Sequence, residues 1–346
     1  MPPPVFVSAI AAPDAGPDIA AQMAMTLARL DERLRTQHSS LADAVAITVY
    51  LRSAADFAAM NDTYRQAWRG LPPTRTTLVA PLVTKDALVE VSAVAAAAGS
   101  ERRLVHPPGW STSPNPYSYA LRSGDTLFLS GLIARNGRDN SVVAGDITVQ
   151  TKAVLDNARE LLDAAGLSLE HVVSARVFLT DLADFAAMNL VYREAFASAP
   201  PARATVGAAL TGPAYKVEMT FVASAGARRV IAGEGTPNPN LSAAIVAGDT
   251  AYLSGLLADA PVAASVDAAA QAQSVVRRID GLLGGCGLSR GDVRDLLVYA
   301  TDDESARAAV DECRRSFGVR AAITPVRAAL VLAGARVEIM TVAARP

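Results

Sequence analysis

The sequence predicts an α/β fold repeated three times: three tandem ββαβαββ units in one chain, each with a mixed sheet covered by helices on one face, the three closing on one another. Three observations predict it. The string Ala-Asp-Phe-Ala-Ala-Met-Asn fills 55–61 and returns at 183–189, with matching flanks on both sides. A third, weaker copy follows, in which Thr250 to Ala258 parallels Thr126 to Ala134, and Val298 to Asp302 parallels Val177 to Asp181. Within each copy, short apolar runs alternate with stretches of helical spacing, as one supersecondary unit repeated in tandem requires. At 346 residues the chain also exceeds the usual size of one domain. The boundaries follow from the repeats: 1–100, 101–227 and 228–346.

The middle copy shows the unit in order. Tyr117 to Arg122 and Leu127 to Ile133 flank Ser123-Gly124-Asp125, a hairpin signal. Val154, Ala158, Leu161, Leu162 and Ala165 recur at helical spacing before Gly166. His171 to Leu179 reads as a buried strand, and Phe185 to Phe196 as a second helix stopped by Pro200-Pro201. Ala204 to Leu210 and Lys216 to Val222 read as a second hairpin, with Lys216, Glu218 and Thr220 on one strand face. In the first copy, Met23, Leu27, Leu30 and Leu34 mark the first helix, and Pro4 to Ser8 corresponds to the second strand, so the first strand is missing. In the third, Val275, Ile279 and Leu282 mark the helix, closed by Gly284-Gly285. Linkers are expected at 99–114 and 226–239. The helix-free face of each sheet must be buried, and two tandem partners can bury it, giving an internal pseudo-trimer.

Composition narrows the function classes. Half the residues are apolar, 19% are charged, and the formal net charge is −2, which suggests neither a nucleic-acid partner nor a membrane surface. No apolar run is long enough to span a bilayer, no signal-like segment opens the chain, and the cytoplasm is the expected compartment. Cys286 and Cys313 suggest neither a disulfide scaffold nor a metal site, and Cys286, in Gly-Gly-Cys-Gly after a helix, fits a small filler better than a nucleophile. His38, His106 and His171 stand at non-equivalent places in the copies, so neither a triad nor a zinc site assembles; no metal and no cofactor are expected.

The residues able to do chemistry recur with the repeat. Arg75 and Arg203 each follow a Pro-Pro pair and precede Glu90 and Glu218 by 15 residues. In the third copy Pro325-Val326-Arg327 stands in the corresponding place, 11 residues before Glu338, as though a turn had lost four. Arg203 reads either as a planar fork for a carboxylate or as a salt-bridging residue at an interface. Glu218 reads either as a site carboxylate or as a solvated strand residue beside Lys216. Tyr117 reads as a cleft residue or as a core aromatic. Ser130-Gly131 closes a strand, and Ser254-Gly255 repeats it.

Taken together, Asn115-Pro116-Tyr117-Ser118, Phe128-Leu129-Ser130-Gly131, Val177-Phe178-Leu179-Thr180-Asp181, Phe185 to Asn189, and Pro201-Ala202-Arg203 with Val217-Glu218 resemble the motifs of the RidA/YjgF family of reactive-intermediate deaminases, in their order and spacing. The resemblance spans 114–225 closely, 4–97 without the first strand, and 236–345 more loosely. It implies a chorismate-mutase-like fold, with clefts between adjacent units and a whole trimer carried in one monomeric chain. It implies a hydrolase that turns 2-enamine or 2-imine carboxylic acids into 2-keto acids and ammonia. Arg203 would clamp the carboxylate, Glu218 would position water, and Tyr117, Ser130 and Gly131 would line the cleft. Arg75, Glu90, Arg327, Glu338, Ser254 and Gly255 would be weaker equivalents. Thr77, Thr205 and Ala329 stand where many members carry Cys, so thiol chemistry is not implied. A non-catalytic binder of small carboxylates, or a tailoring enzyme with chorismate-like chemistry, remains the alternative.

Overall fold

The computed structural model describes residues 3–345 apart from 69, 198–199, 234, 236 and 260–266. The first repeat runs β1 (Val5–Ile10), α1 (Ile19–Arg35), β2 (Ala44–Leu51), α2 (Phe57–Ala67), β3 (Thr74–Val79) and β4 (Val89–Ala95). The second runs β5 (Arg103–Val105), β6 (Ala120–Ser123), β7 (Thr126–Leu129), β8 (Leu132–Ile133), α3 (Ile147–Ala164), β9 (Val172–Leu179), α4 (Phe185–Ala195), β10 (Ala202–Gly207), β11 (Ala209–Leu210) and β12 (Val217–Ser224). The third runs β13 (Arg228–Ile231), β14 (Ala244–Ala247), β15 (Thr250–Leu256), α5 (Ala268–Cys286), β16 (Val293–Ala300), α6 (Asp303–Phe317), β17 (Ala322–Arg327), β18 (Ala329–Leu330) and β19 (Val337–Ala344).

The same local chemistry starts the long helix of each repeat. Asp18, Asp146 and Asp267 cap α1, α3 and α5, each accepting the backbone N–H three residues on. The α5 helix continues through Gly284-Gly285, where the sequence suggested a stop, and ends at Gly287, whose φ of 73° suits a residue without Cβ.

In the second repeat the sheet order is β5-β6-β7-β12-β9-β10, with β9 and β10 parallel and β12 antiparallel to β9. The expected second hairpin is therefore not one: β9 lies between β10 and β12, because the helix α4 between β9 and β10 makes a parallel crossover. Both expected linkers also contain a strand. The strand β5 adds to β6, and β13 adds to β14, satisfying backbone groups along what would otherwise be a free sheet edge. Residues 234 and 236 of the second linker lie outside the described set. In the first repeat β1 is the edge strand among the described residues, paired only with β4.

Strand alternation sorts side chains onto two faces. Val177 and Leu179 of β9 join the core under α3 and α4, while Phe178 between them faces the other repeats. There it meets Tyr50, Leu297 and Tyr299, so one apolar cluster is shared by all three repeats. Backbone pairing seals two junctions: Leu210 of β11 pairs Leu78 of β3, and Leu330 of β18 pairs Val206 of β10. Side chains seal the third, where Ser8 Oγ accepts the Ile323 N–H at 2.9 Å and Thr324 Oγ1 accepts the Ala9 N–H at 3.2 Å. Among the described residues no helix is long and apolar enough to cross a membrane.

Candidate active sites between the repeats

The register of the sheets decides which residues are equivalent. Arg75 pairs Ile47, Arg203 pairs Ala175, and Ile323 pairs Leu296. Those partners in turn pair Ala93, Phe221 and Thr341, each three residues beyond Glu90, Glu218 and Glu338. Thus Ile323, not Arg327, stands where Arg75 and Arg203 stand. The 15-residue interval is kept in all three repeats, and no turn has shortened. Arg327 occupies the place of Val79 and Gly207 at the strand end, where it pairs with Asp303 at 3.3 Å.

A serine holds each of these positions from the next repeat. The Arg75 N–H donates to Ser130 Oγ at 2.9 Å, and Ser130 Oγ donates to the Ser118 carbonyl at 2.7 Å. The Arg203 N–H donates to Ser254 Oγ at 2.8 Å, and Ser254 Oγ to the Ser242 carbonyl at 2.6 Å. The Ile323 bond to Ser8 repeats the pattern without an arginine. Ser130 and Ser254 are thereby used as junction pins, and the backbone N–H of Gly131 completes the first by donating to the Arg75 carbonyl at 3.0 Å.

Each arginine thus works with the next repeat, and the grouping of Arg203 with Glu218, Tyr117, Ser130 and Gly131 in one cleft does not occur. In the first cleft Arg75 meets Tyr117, Ser130, Gly131 and Glu218. In the second Arg203 meets Ser254, Gly255 and Glu338. The reason is geometric: β10 and β12 are separated by β9, and only the neighbouring repeat brings a carboxyl round to the arginine.

The glycines are required by those carboxyls. A Cβ on Gly131 would lie 1.8 Å from Glu218 Oε1, and one on Gly255 would lie 1.9 Å from Glu338 Oε1. At the third junction Ala9 takes the glycine place, and Glu90 turns to accept the Thr84 N–H of its own repeat at 2.7 Å. This junction lacks the arginine, the glycine and the turned-in carboxyl.

Arg75 and Arg203 are 4% and 3% exposed. The Arg75 guanidinium lies 4.9 Å over the Tyr64 ring, 5.3 Å over Tyr117 and 5.8 Å over Phe57; that of Arg203 lies 4.5 Å over Tyr192. Such stacking supports a buried cation without using its N–H donors. Arg75 Nη1 has no partner among the described residues, and Arg203 Nε and Nη1 have none in normal geometry, the Tyr192 hydroxyl standing near. Burial pushes both guanidinium pKa values down, yet arginine stays charged. Burial raises the Glu218 and Glu338 carboxyls to about 8, against the pull of Arg75 and Arg203 respectively.

Tyr117 is half-buried in the turn before β6, edge-on to Tyr119 at 5.7 Å, and not within a strand as expected. At the second cleft the equivalent bonds of Ser118 and Ser242 put Leu241 in the place of Tyr117, while Asn240, one residue earlier, accepts from Arg193 Nε at 3.3 Å. Tyr64 and Tyr192, the ring platforms under the two arginines, were not singled out from the sequence; in the third repeat Cys313 stands in their place, where register puts Ile323 for the arginine. Asn61 and Asn189 are buried, their Oδ1 atoms unpartnered among the described residues. The same residues contain no group of three or more His, Cys, Asp or Glu able to hold a metal ion.

Two buried arginine–carboxyl sites are thus assembled between tandem α/β repeats, each formed only where two repeats meet. A family model described as Endoribonuclease L-PSP matches 10–97, 111–225 and 235–345. The chain belongs to this family, the RidA/YjgF family that its motifs resemble. It is similar to a RutC family protein of Sulfurisphaera tokodaii, 45% identical over 111 residues, 32% of this chain and 89% of that protein. It is also similar to a 2-iminobutanoate/2-iminopropanoate deaminase of Dermatophagoides farinae, 35% identical over 123 residues, 36% of this chain and 96% of that one. Among solved structures, the YjgF gene product of E. coli is 28% identical and covers 36% of this chain and 98% of its own, with a TM-score of 0.34.

Proposed function

We propose that the protein is a deaminase of 2-enamine and 2-imine carboxylic acids that works without metal or cofactor in the cytoplasm, as a single-chain pseudo-trimer with two working clefts. The observation that carries the reading is the buried Arg75 with a spare N–H, facing a neutral-leaning Glu218 carboxyl across the first junction. The substrate carboxylate takes the Arg75 guanidinium, whose fork fixes the plane of the C=N bond. Glu218, protonated near neutral pH, gives its proton to the imine nitrogen. The resulting carboxylate takes a proton from water as the oxygen bonds to C2. The carbinolamine nitrogen then takes the proton from the same carboxyl and leaves as ammonia, while the hydroxyl proton returns to that carboxylate, giving the 2-keto acid and protonated Glu218. Imine and water in, keto acid and ammonia out: the step balances with no redox partner. Acid–base help of this kind is worth ~10²–10⁴-fold. Arg203 and Glu338 repeat the arrangement with Leu241 in place of Tyr117.

The test is release of ammonia and keto acid from freshly generated 2-aminoacrylate, above the spontaneous rate. A rate equal to buffer alone, with small carboxylates still bound, would favour the alternative of a non-catalytic carboxylate binder, to which the arginine-free third junction lends support. Turnover of another carboxylate without ammonia release would instead favour a tailoring enzyme. Neither a nucleic-acid nor a membrane partner belongs to this reading.

A further inference from the structure

On the axis where the three helix-free sheet faces meet lies a cavity of about 110 Å³, separate from the arginine–glutamate clefts. Its lining is mostly apolar, with Phe6, Phe128, Tyr252 and Met340 among the walls, but Arg176 and Asp295 also face it. The register shows that both charges break the repeat. Arg176 corresponds to Thr48 and Leu297, and Asp295 to Ala46 and Ser174. A charge placed once among three equivalent positions is not demanded by the fold. Arg176 and Asp295 are each half-buried, and placing two opposite charges against one apolar chamber is costly unless they are well paired. Arg176 Nη1 instead donates to Thr48 Oγ1 at 3.4 Å, and Arg176 acts on Asp295 through space rather than through an ion pair.

We propose that this axial chamber binds one small α-amino acid as its zwitterion, the carboxylate on Arg176, the ammonium on Asp295 and a short side chain against the apolar wall. The size fits. A dry cavity of ~150 Å³ admits benzene, so this one suits a molecule of about six heavy atoms, as alanine has. The opposite charges sit on different repeats, so the ligand bridges the second and third. A second cavity of about 220 Å³, lined by Asp125, Asp249 and Arg345, borders the chamber at Pro4 and Phe128. Burial raises the Asp295 carboxyl to about 7, a state that an incoming ammonium reverses.

Titration calorimetry on the whole chain tests this with L-alanine, propionate and ethylamine. L-Alanine should bind one per chain, at least ~10-fold tighter than either half-molecule, because each half satisfies one charge only. Binding should persist in the Arg75→Ala/Arg203→Ala double variant and weaken at least ~10-fold in Asp295→Asn and Arg176→Met. The competition among the three probes needs no variant, so it stands even if one of these fails to fold. No heat with millimolar L-alanine would overturn the proposal and make the two charges a plain contact between repeats. Binding that vanishes only in the Arg75→Ala/Arg203→Ala variant would overturn it too, by placing the ligand in the clefts.

Discussion

Removing the three arginines one at a time should separate clefts from scaffold. Arg75→Ala deletes the donor pair that would hold the substrate carboxylate in the first cleft. Hydrogen bonds to charged groups are worth ~1.5–3 kcal/mol each, so losing a paired clamp costs about 3 kcal/mol or more, which is ~10²-fold in kcat/KM for that cleft. The Arg203 cleft remains, however, so the whole-chain rate should fall only by the share of the first cleft. Arg203→Ala should behave likewise, with a smaller share, because Leu241 replaces the Tyr117 ring there. The double variant should lose the full factor. Arg327→Ala should do almost nothing, since Arg327 pairs with Asp303 outside both clefts and Ile323 fills the equivalent site. Ammonia release from 2-aminoacrylate measures all four, and thermal melting checks that the cation–π cages have not collapsed. An Arg327→Ala loss as large as that of the double variant, or a double variant with wild-type rate, refutes the assignment.

Other predictions follow from the same contacts. Gly131→Ala should displace Glu218 and, combined with Arg203→Ala, should bring the rate to background; the fully active combination would show that the 1.8 Å approach is not needed. Because the folded pKa of Glu218 and Glu338 is raised to about 8 from 4.5, the folded state holds more protons between those values, so stability is greatest below about 4.5 and declines as pH rises through about 8. Melting curves from pH 5 to 8.5 should show this slope, and Glu218→Gln with Glu338→Gln should flatten it; an unchanged slope counts against the buried neutral carboxyls. Light scattering should give the mass of one 346-residue chain, and a stable trimer of whole chains would contradict an internal ring.

The repeats were legible because identity is the strongest signal a sequence can carry: Phe57 to Asn61 and Phe185 to Asn189 begin helices of the same length in the same place. Apolar spacing marked the long helices, but their starts, set by the caps Asp18, Asp146 and Asp267, were not read from it. The edge strands β5 and β13 were not, since three or four residues rich in arginine carry no period of their own and are strands only because a partner edge awaits them. The third-copy arginine misled for a physical reason. Arg327 follows a proline, as Arg75 and Arg203 do, but only strand register shows that it lies four residues further along β17. Arg203 and Glu218 were both found, yet spacing along the chain says nothing about which repeat supplies the partner. That is decided by sheet order, which holds β10 and β12 apart and turns the face of Arg203 toward Glu338.

Fusion explains why such differences between junctions can persist. No single repeat contains a cleft: each needs an arginine from one unit and a Ser-Gly and carboxyl from the next. In an assembly of identical subunits, any change would alter every junction at once. Within one chain each junction is coded separately, so Ile323 and Ala9 can stand at the third while the first and second keep Arg and Gly. Glu90 survives there without an arginine because it has other work, accepting the Thr84 N–H in the β3–β4 connection of its own repeat. Ser8 survives because it pins the Ile323 backbone. What was retained at the third junction is what closes the ring, and what was lost is what would bind an anion. The same separate coding permits Arg176 and Asp295 to appear once each on the axis, where a threefold assembly of identical chains would have had to place three of both.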